Sequence, residues 1–267
     1  MSEELKRCLN ELRLPLAADC YKEEAEKARK NNLSYEQYLF CLMELEREGR
    51  IHNRIARLLR ESKLPLEKSL QSFNRKRLPP KVDAKLSILL EGTFTERAEN
   101  VLAFGNPGSG KSHILCALGQ ELIYKNKRVR FWPCSLLVQD LIKAKRELKL
   151  ALALKRLSKY DALIIDDIGY VQQNREEMEV LFTLFSDRYE RKSVLLTSNL
   201  PFSEWEKIFK DPMTTAAAID RIVHHSIILE LNIPSYRLEQ ARRHNEQQQQ
   251  NNLNKSLKRG KNDKANR

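Results

Sequence analysis

The chain has 267 residues, 41% hydrophobic and 31% charged, enough for one large domain or for a core with a smaller domain. Its net charge of +12 is concentrated at the ends: residues 1–78 carry 17 basic and 13 acidic side chains, and residues 241–267 carry eight and two. The five scattered cysteines, the charged N-terminus and the absence of a long apolar run predict a reduced, cytoplasmic chain rather than a secreted or membrane protein. Nucleic acid is the expected acidic partner, in preference to a membrane.

Residues 1–69 are predicted to form a small all-α domain. Residues 3–32 have helical apolar spacing with a break at Pro15, and residues 34–37 read Ser-Tyr-Glu-Gln, a capping box that opens a long amphipathic helix. One broad face of that helix carries five arginines: Arg47, Arg50, Arg54, Arg57 and Arg60. The face is either an ordinary solvated surface or one that contacts phosphates. Residues 70–80, which include Pro79 and Pro80, predict a linker.

Residues 81–240 alternate apolar runs with helical patterns, which predicts an α/β domain with parallel crossover units around a covered sheet. The predicted strands are residues 100–104, 129–132, 162–167, 193–199 and 227–231. The predicted helices are residues 81–91, 113–124, 136–157, 174–189, 201–209 and 214–223. Residues 241–267 are polar and basic, so they predict a disordered tail.

The clearest motif is GNPGSGKS at residues 105–112, which matches G-x-x-x-x-G-K-[ST] at every fixed position. It joins a predicted strand to a predicted helix, so its N–H groups can form an anion nest at a helix N-terminus. Lys111 is predicted to reach the β- and γ-phosphates of ATP, and Ser112 to ligate Mg²⁺. The predicted nucleotide-binding residues are Gly105, Asn106, Pro107, Gly108, Ser109, Gly110, Lys111, Ser112 and His113.

Polar residues at the ends of later elements predict catalysis. Asp166 and Asp167 end an apolar strand, where Asp166 is predicted to hold Mg²⁺ and Asp167 to polarise the attacking water. Asn199 ends the next strand and is predicted to touch the γ-phosphate or position that water. Arg221 either forms a local salt bridge with Asp220 or reaches the ATP of a neighbouring subunit as an arginine finger.

Longer stretches around these residues carry a more specific pattern. They are residues 105–112, 164–169, 188–191 (RYER), 196–205 (LTSNLPFSEW), 220–225 (DRIVHH) and 235–238 (SYRL). Together they resemble the IstB family of insertion-sequence helper ATPases, which are related to the DnaC helicase loaders within the AAA+ class. The resemblance extends from about Leu9 to Arg237.

The resemblance implies a P-loop AAA+ ATPase core at residues 81–240, after the small helical domain, with ATP and Mg²⁺ as cofactors. It assigns phosphate binding to Gly110, Lys111 and Ser112, and Walker B, sensor 1 and finger roles to Asp166 with Asp167, Asn199 and Arg221. It implies a homo-oligomer with ATP sites at subunit interfaces, double-stranded DNA as a ligand and a cognate transposase as a partner.

The predicted function is therefore an ATP-dependent, DNA-binding helper of a transposase that hydrolyses ATP to regulate transposition. Two alternatives remain open. One is a DnaC-like replicative helicase loader with the same core. The other is a DNA-binding scaffold that uses ATP as a switch with little turnover, which is kept because Asp167 stands where many such ATPases carry glutamate.

Overall fold

The computed structural model describes residues 2–170, 175–201, 204–205, 212–236 and 238–239. The chain divides into two compact units, with the boundary between Glu61 and Ser62. No helix within the described segments is long and apolar enough to cross a membrane. All five cysteines are free.

The first unit contains three helices: α1 (Ser2–Glu11), α2 (Pro15–Lys30) and α3 (Tyr35–Ser62). The predicted capping box is confirmed, because the Gln37 N–H donates to Ser34 Oγ at 3.2 Å and the Ser34 N–H donates to Gln37 Oε1 at 2.9 Å. The buried carboxylate of Glu46 connects α3 to the start of α2, since it accepts from the Ala17 N–H and from Arg50 Nε. The N-terminal unit is therefore all-α, as predicted.

The arginine face of α3 is exposed but partly neutralised along the same helix. Three ion pairs account for this: Arg47–Glu44, Arg50–Glu46 and Arg57–Glu61. Such exposed pairs contribute little to stability and are screened by salt, so they do not prevent contact with phosphates. The pairing therefore leaves both interpretations of this face open.

The second unit is an α/β domain built on a five-stranded parallel sheet. Its strands are β1 (Asn100–Gly105), β2 (Val129–Pro133), β3 (Ala162–Asp166), β4 (Ser193–Ser198) and β5 (Ser226–Leu231). Its helices are α4 (Pro80–Leu90), α5 (Lys111–Tyr124), α6 (Cys134–Arg146), α7 (Leu150–Leu157), α8 (Arg175–Arg188) and α9 (Pro212–Val223). Single 3₁₀ turns occur at Arg75–Arg77, Thr93–Thr95 and Ile168–Tyr170.

The strand order is β2-β3-β4-β1-β5, and every pairing is parallel. The central strands β1, β3 and β4 are apolar and almost wholly buried, because helices cover both faces of a parallel sheet. Strand β4 lies between the strand that leads into the GNPGSGKS loop and the strand that ends at Asp166. The carboxyl ends of all three strands therefore meet at one edge of the sheet.

At the opposite edge of this sheet, the side chain of Arg188 joins several elements through hydrogen bonds. Its guanidinium donates to the carbonyls of Leu157, Tyr160 and Ser193, and only 2% of the residue is exposed. Burial lowers the pKa of Arg188 to about 10, so the group stays charged at neutral pH. The arginine of the RYER stretch thus has a structural role, joining the end of α8 to the starts of β3 and β4.

The predicted helix 136–157 is two helices, α6 and α7. Residue Leu148 between them has φ 58°, its N–H donates to the Lys145 carbonyl at 3.0 Å, and the Lys149 N–H donates to the Ala144 carbonyl at 2.7 Å. These two bonds form a Schellman motif, which ends a helix. The motif usually has glycine at the left-handed position, so a leucine there gave no sequence signal. The first of these helices begins at Cys134, two residues before the predicted start at residue 136.

Residues 62–80, of which 70–80 were predicted as a linker, belong to the second unit. Gln120 Nε2 donates to the carbonyl of Lys68 at 3.0 Å, Phe73 packs edge-on against His113, and Arg75 pairs with Asp83 at 2.7 Å. The division between the two compact units falls between residues 61 and 62, and side chains of residues 62–80 have partners in the second unit.

Some predicted features fall outside the described residues. They are the helix start at Asn174, most of the predicted helix 201–209, and the tail 241–267. Trp205 is described and is fully buried in the core beside Phe104.

Candidate nucleotide-binding site

The GNPGSGKS loop connects β1 to α5 in a conformation that requires glycine. Gly105, Gly108 and Gly110 have φ values of 145°, 79° and 98°. A Cβ atom at Gly105 would lie 2.2 Å from the Leu231 carbonyl oxygen, and one at Gly108 would lie 2.1 Å from Ser235 Oγ. A side chain at Gly105 would clash with the end of β5, and one at Gly108 would clash with the segment after β5, so glycine is required at both positions for a steric reason.

The loop gathers hydrogen-bond donors. Lys111 Nζ donates to the carbonyls of Gly105 at 2.7 Å and Asn106 at 2.9 Å, which holds the ammonium across the loop. Ser109 is 2% exposed, and its hydroxyl has no hydrogen-bond partner within the described part of the chain. A buried hydroxyl without a partner costs free energy, which an acceptor-rich ligand such as a phosphate would offset.

The end of β3 is tied to the loop and to β4 through one carboxylate. Asp166 Oδ1 accepts from Ser112 Oγ at 2.6 Å and from Thr197 Oγ1 at 2.6 Å. The Thr197 hydroxyl in turn accepts from the Asp167 N–H at 2.7 Å. Three hard oxygen atoms from three separate elements are thus brought together, which is the type of donor set that Mg²⁺ prefers. Thr197 was not predicted as a site residue.

Asp167 has an unusual backbone and an unusual acidity. Its φ is 68°, in the left-handed region that Asp tolerates better than most residues. Asn199 Nδ2 donates to Asp167 Oδ1 at 3.1 Å. Desolvation and the neighbouring Asp166 charge raise the pKa of the Asp167 carboxyl, and the Lys111 ammonium opposes them. The carboxylate therefore has a higher proton affinity than a surface aspartate.

A second wall of the cleft is formed by residues that were not predicted as site residues. Phe73 lies 3.1 Å from where a Gly110 Cβ would stand, and the Tyr236 N–H donates to the Gly108 carbonyl at 3.0 Å. The Arg77 guanidinium lies 5.0 Å from the centre of the Tyr236 ring. The whole cleft holds about 350 Å³. The sequence signal for Phe73 was an aromatic residue inside an otherwise basic segment, and the signal for Tyr236 was its place in the SYRL stretch.

The structure brings most of the predicted site together. The cleft is lined by residues 107–113 together with Asp166, Asp167 and Asn199, while Gly105 and Asn106 contribute their carbonyls to Lys111. His113 points its ring at the Ser69 carbonyl, 2.9 Å away, so its side chain supports the cleft wall.

Arg221 stands apart from this cleft. Its NH1 group donates to Ser186 Oγ at 2.7 Å, and its guanidinium lies 4.5 Å from the centre of the Phe182 ring, both on α8. The predicted salt bridge between Arg221 and Asp220 is not among the ion pairs of the described residues. Within its own chain Arg221 does not line the nucleotide cleft.

Comparison with known proteins identifies the family. The model of the IstB-like ATP binding proteins matches residues 7–244. The chain belongs to this family. A protein of Sinorhizobium fredii that is named as an insertion sequence ATP-binding protein is 42% identical over 234 residues, covering 87% of this chain and 78% of that protein. A protein of insertion sequence IS21 from Pseudomonas aeruginosa, also named as ATP-binding, is 37% identical and covers 90% and 91% of the two chains.

The solved structures confirm the fold of this IstB-like chain. The crystal structure of the DnaC helicase loader superposes with a TM-score of 0.52 at 15% identity, covering 62% of this chain and 98% of that one. At this identity the likeness shows the fold alone. The α/β fold predicted from sequence, with a parallel sheet after a helical N-terminal region, is confirmed.

Proposed function

We propose that this chain binds Mg-ATP in the cleft at the edge of the sheet and hydrolyses it while assembled on double-stranded DNA, as the helper of a transposase. The observation that supports this most directly is the hydrogen-bonded set of Ser112, Asp166 and Thr197 beside Lys111. If residues 105–112 formed only a structural turn before a helix, nothing would require the Asp166 carboxylate to accept hydrogen bonds from both Ser112 and Thr197, which lie far from it in sequence.

The phosphate-binding loop would hold the triphosphate. Its backbone N–H groups and the N-terminus of α5 favour anionic oxygens, and the partnerless Ser109 hydroxyl can donate to one of them. Lys111 would exchange its two carbonyl acceptors for phosphate oxygens. Opposite the loop, the wall formed by Phe73 and Tyr236 offers flat apolar surface to the base.

The acidic residues would supply the remaining roles. The hydroxyl of Ser112 and the carboxylate of Asp166 are the groups that would hold Mg²⁺, which neutralises phosphate charge when bound. Asp167 would accept a proton from the attacking water, which its raised pKa favours, and Asn199 would orient that carboxylate through its amide. Arg221 would act on the site of a neighbouring subunit, since it does not line its own cleft.

The DNA and transposase roles are supported by the relatives and by charge. Both relatives described above are named as insertion-sequence proteins. The basic residues of 241–267 and the arginine face of α3 are the surfaces that we assign to duplex DNA, with the N-terminal unit also serving partner contact. The replicative helicase loader and the low-turnover scaffold remain alternatives with the same nucleotide site.

The test compares wild type with Lys111→Ala and Asp167→Asn in ATP binding and in DNA-stimulated hydrolysis. Lys111→Ala should lose binding at least tenfold, because the ammonium contacts the phosphates directly. Asp167→Asn should bind ATP normally but hydrolyse it at least 100-fold more slowly, because the proton acceptor is gone. Lys125→Ala, an exposed lysine at the end of the same helix, is the matched control.

The outcomes separate the three functions. Tight ATP binding by a folded Lys111→Ala protein would refute the site. Equal and very low turnover in wild type and Asp167→Asn would favour the scaffold. Retention of a replicative helicase in the presence of ATP, without retention of a transposase, would favour the helicase-loader function.

A further inference from the structure

A second cluster of chemically active side chains lies outside the nucleotide cleft. One ligand atom each from Glu190, His224 and His225 lies within 4.8 Å of the other two, and all three residues are exposed. His225 Nε2 is 3.6 Å from Glu190 Oε1, and the two imidazole rings meet edge to face with centroids 4.2 Å apart. The nucleotide-site chemistry uses none of these residues.

Two elements converge to make the cluster. Glu190 stands in the turn after α8 with φ 55°, which turns the chain back at that point. His224 and His225 form the tight turn between the end of α9 and the start of β5. Helices α8 and α9 pack against each other beside it, through Arg221 and Ser186. The turns that carry the three side chains are therefore anchored on both sides.

We propose that Glu190, His224 and His225 bind a divalent transition-metal ion, with zinc the best fit. Two imidazoles and one carboxylate form a donor set that zinc prefers, with the fourth position left to water. In a tetrahedral zinc site the ligand atoms lie roughly 3.4 Å apart, as follows from bonds of about 2.0–2.1 Å. The three ligand atoms lie within 4.8 Å of one another, so small rotations of these exposed side chains would bring them to the tetrahedral spacing. The hard ions Mg²⁺ and Ca²⁺ do not suit this set, because they favour oxygen ligands.

Tyr189 supplies the outer contact that such a site needs. Its hydroxyl lies 3.2 Å from His224 Nδ1. With the Nδ1–H of His224 donated to the phenol oxygen, Nε2 presents its lone pair to the metal. Metal-ligating histidines commonly donate their second N–H in this way.

A bound ion would join the C-terminal ends of α8 and α9. Arg221 lies on α9 three residues before His224, and it already contacts Ser186 and Phe182 of α8. The ion would therefore hold in place the two helices that fix the Arg221 side chain. Any effect on hydrolysis depends on the finger role proposed for Arg221, so the test reads metal binding directly and without nucleotide.

The experiment is calorimetric titration of ZnCl₂ into the full-length, nucleotide-free chain, with MgCl₂ as the comparison ion. Wild type should bind zinc with a stoichiometry one higher than His224→Ala/His225→Ala, because the variant lacks both imidazoles. His52→Ala, which removes an exposed histidine on α3, should bind like wild type. Comparing stoichiometries removes any background from Cys8, Cys20 and Cys41, which all three chains share. MgCl₂ should give no comparable site.

Two further variants keep the proposal testable if the double histidine variant does not fold. Glu190→Gln should weaken zinc binding at least tenfold, and Tyr189→Phe should weaken it about tenfold through loss of the outer hydrogen bond. Zinc should also raise the unfolding midpoint of wild type more than that of Glu190→Gln, measured against each chain in EDTA. Zinc binding that is unchanged in His224→Ala/His225→Ala and Glu190→Gln, or absent from wild type, would overturn the proposal.

Discussion

At the scale of single residues, Asp167 has a backbone conformation and an environment that an isolated aspartate would not favour. Its backbone is left-handed, its carboxyl is half-buried, and its nearest charged neighbour is Asp166. Each feature works against stability, and each also raises proton affinity or aims the carboxylate at the cleft. Asn199 offsets part of this cost by donating an amide hydrogen bond. The residue is thus held in place by its neighbours rather than by its own preference.

The acidity of Asp167 leads to a prediction about stability. Because the fold raises the pKa of this carboxyl, the folded state binds the proton more tightly, and ionised Asp167 destabilises the fold above that pKa. Asp167→Asn should therefore have a higher unfolding midpoint than wild type at pH 7. The difference should narrow as pH falls through the folded-state pKa and should stop changing only well below about 3.9, where the carboxyl is protonated in both states. Thermal unfolding without nucleotide measures this; an equal or lower midpoint at pH 7 would contradict it.

At the scale of elements, the segment from α6 to α7 shows how one backbone angle changes a helix. The α6 helix ends in a Schellman motif with Leu148 at its left-handed position, and that side chain is 95% exposed. Leucine in this conformation costs about 1–2 kcal/mol, and the exposed side chain regains little through packing. The helix break therefore depends on tertiary contacts of the two flanking helices.

Replacing that leucine should stabilise the protein. Leu148→Gly should raise the free energy of unfolding by roughly 0.5–1 kcal/mol, since relief of the left-handed strain exceeds the added freedom of the unfolded chain. Leu152→Gly is the matched control: it lies within α7, and glycine there should lower stability by about 1 kcal/mol. Urea unfolding of both variants decides the question. A Leu148→Gly protein that is destabilised as much as the control would show that the side chain contributes more than its exposure suggests.

At the scale of the whole molecule, the proposed hydrolysis depends on a group that would come from a neighbouring subunit and stabilise transition-state charge. Arg221 is the candidate, and its contacts with α8 hold it on the surface of the second unit. A finger that acts between subunits makes hydrolysis a property of the assembly rather than of the chain. Duplex DNA that lines up subunits would then control turnover.

Mixing inactive variants tests the finger. Arg221→Ala and Lys111→Ala should each hydrolyse ATP slowly, but an equimolar mixture should regain activity at about a quarter of its interfaces, where an intact loop faces an intact finger. Ser186→Ala is the control, because it removes the hydrogen bond to Arg221 while keeping the guanidinium, and it should stay active. Mixed oligomers that form without recovered hydrolysis would exclude a finger acting between subunits.

The affinity for DNA should depend on salt concentration, and the strength of that dependence should show which basic residues contact phosphates. Residues 79–240 are nearly neutral, with 23 basic and 21 acidic side chains, so non-specific binding should come from the basic residues on either side of them and should require ATP-driven assembly. If about four basic residues of 241–267 neutralise phosphates, deleting that segment should flatten the slope of log affinity against log salt by roughly 3–4. Arg50→Ala/Arg54→Ala/Arg57→Ala tests the face of α3 separately.

A salt titration of duplex binding, with and without ATP, is the measurement. An unchanged slope after the deletion would remove the tail from the interface. Equal binding in both nucleotide conditions would contradict assembly-dependent recognition.

The sequence alone determined the features that depend on local backbone chemistry. The loop at residues 105–110 could be predicted from its glycines, because their backbone φ angles strongly disfavour other residue types. The capping box at Ser34 and the apolar strands were readable because they depend on neighbours only a few positions away. The position of Asp166 at a strand end predicted its approach to the loop, because parallel strands end at one edge.

Only the tertiary structure decided which distant groups meet. Thr197 bridges Asp166 and Asp167 because β4 lies between β1 and β3, an order that no local pattern encodes. Phe73 reaches the nucleotide loop because residues 62–80 pack back on the core, although their Pro and basic residues resemble a linker. Both outcomes follow from burial and hydrogen bonding between segments far apart in the chain, and such interactions leave no periodicity in either segment.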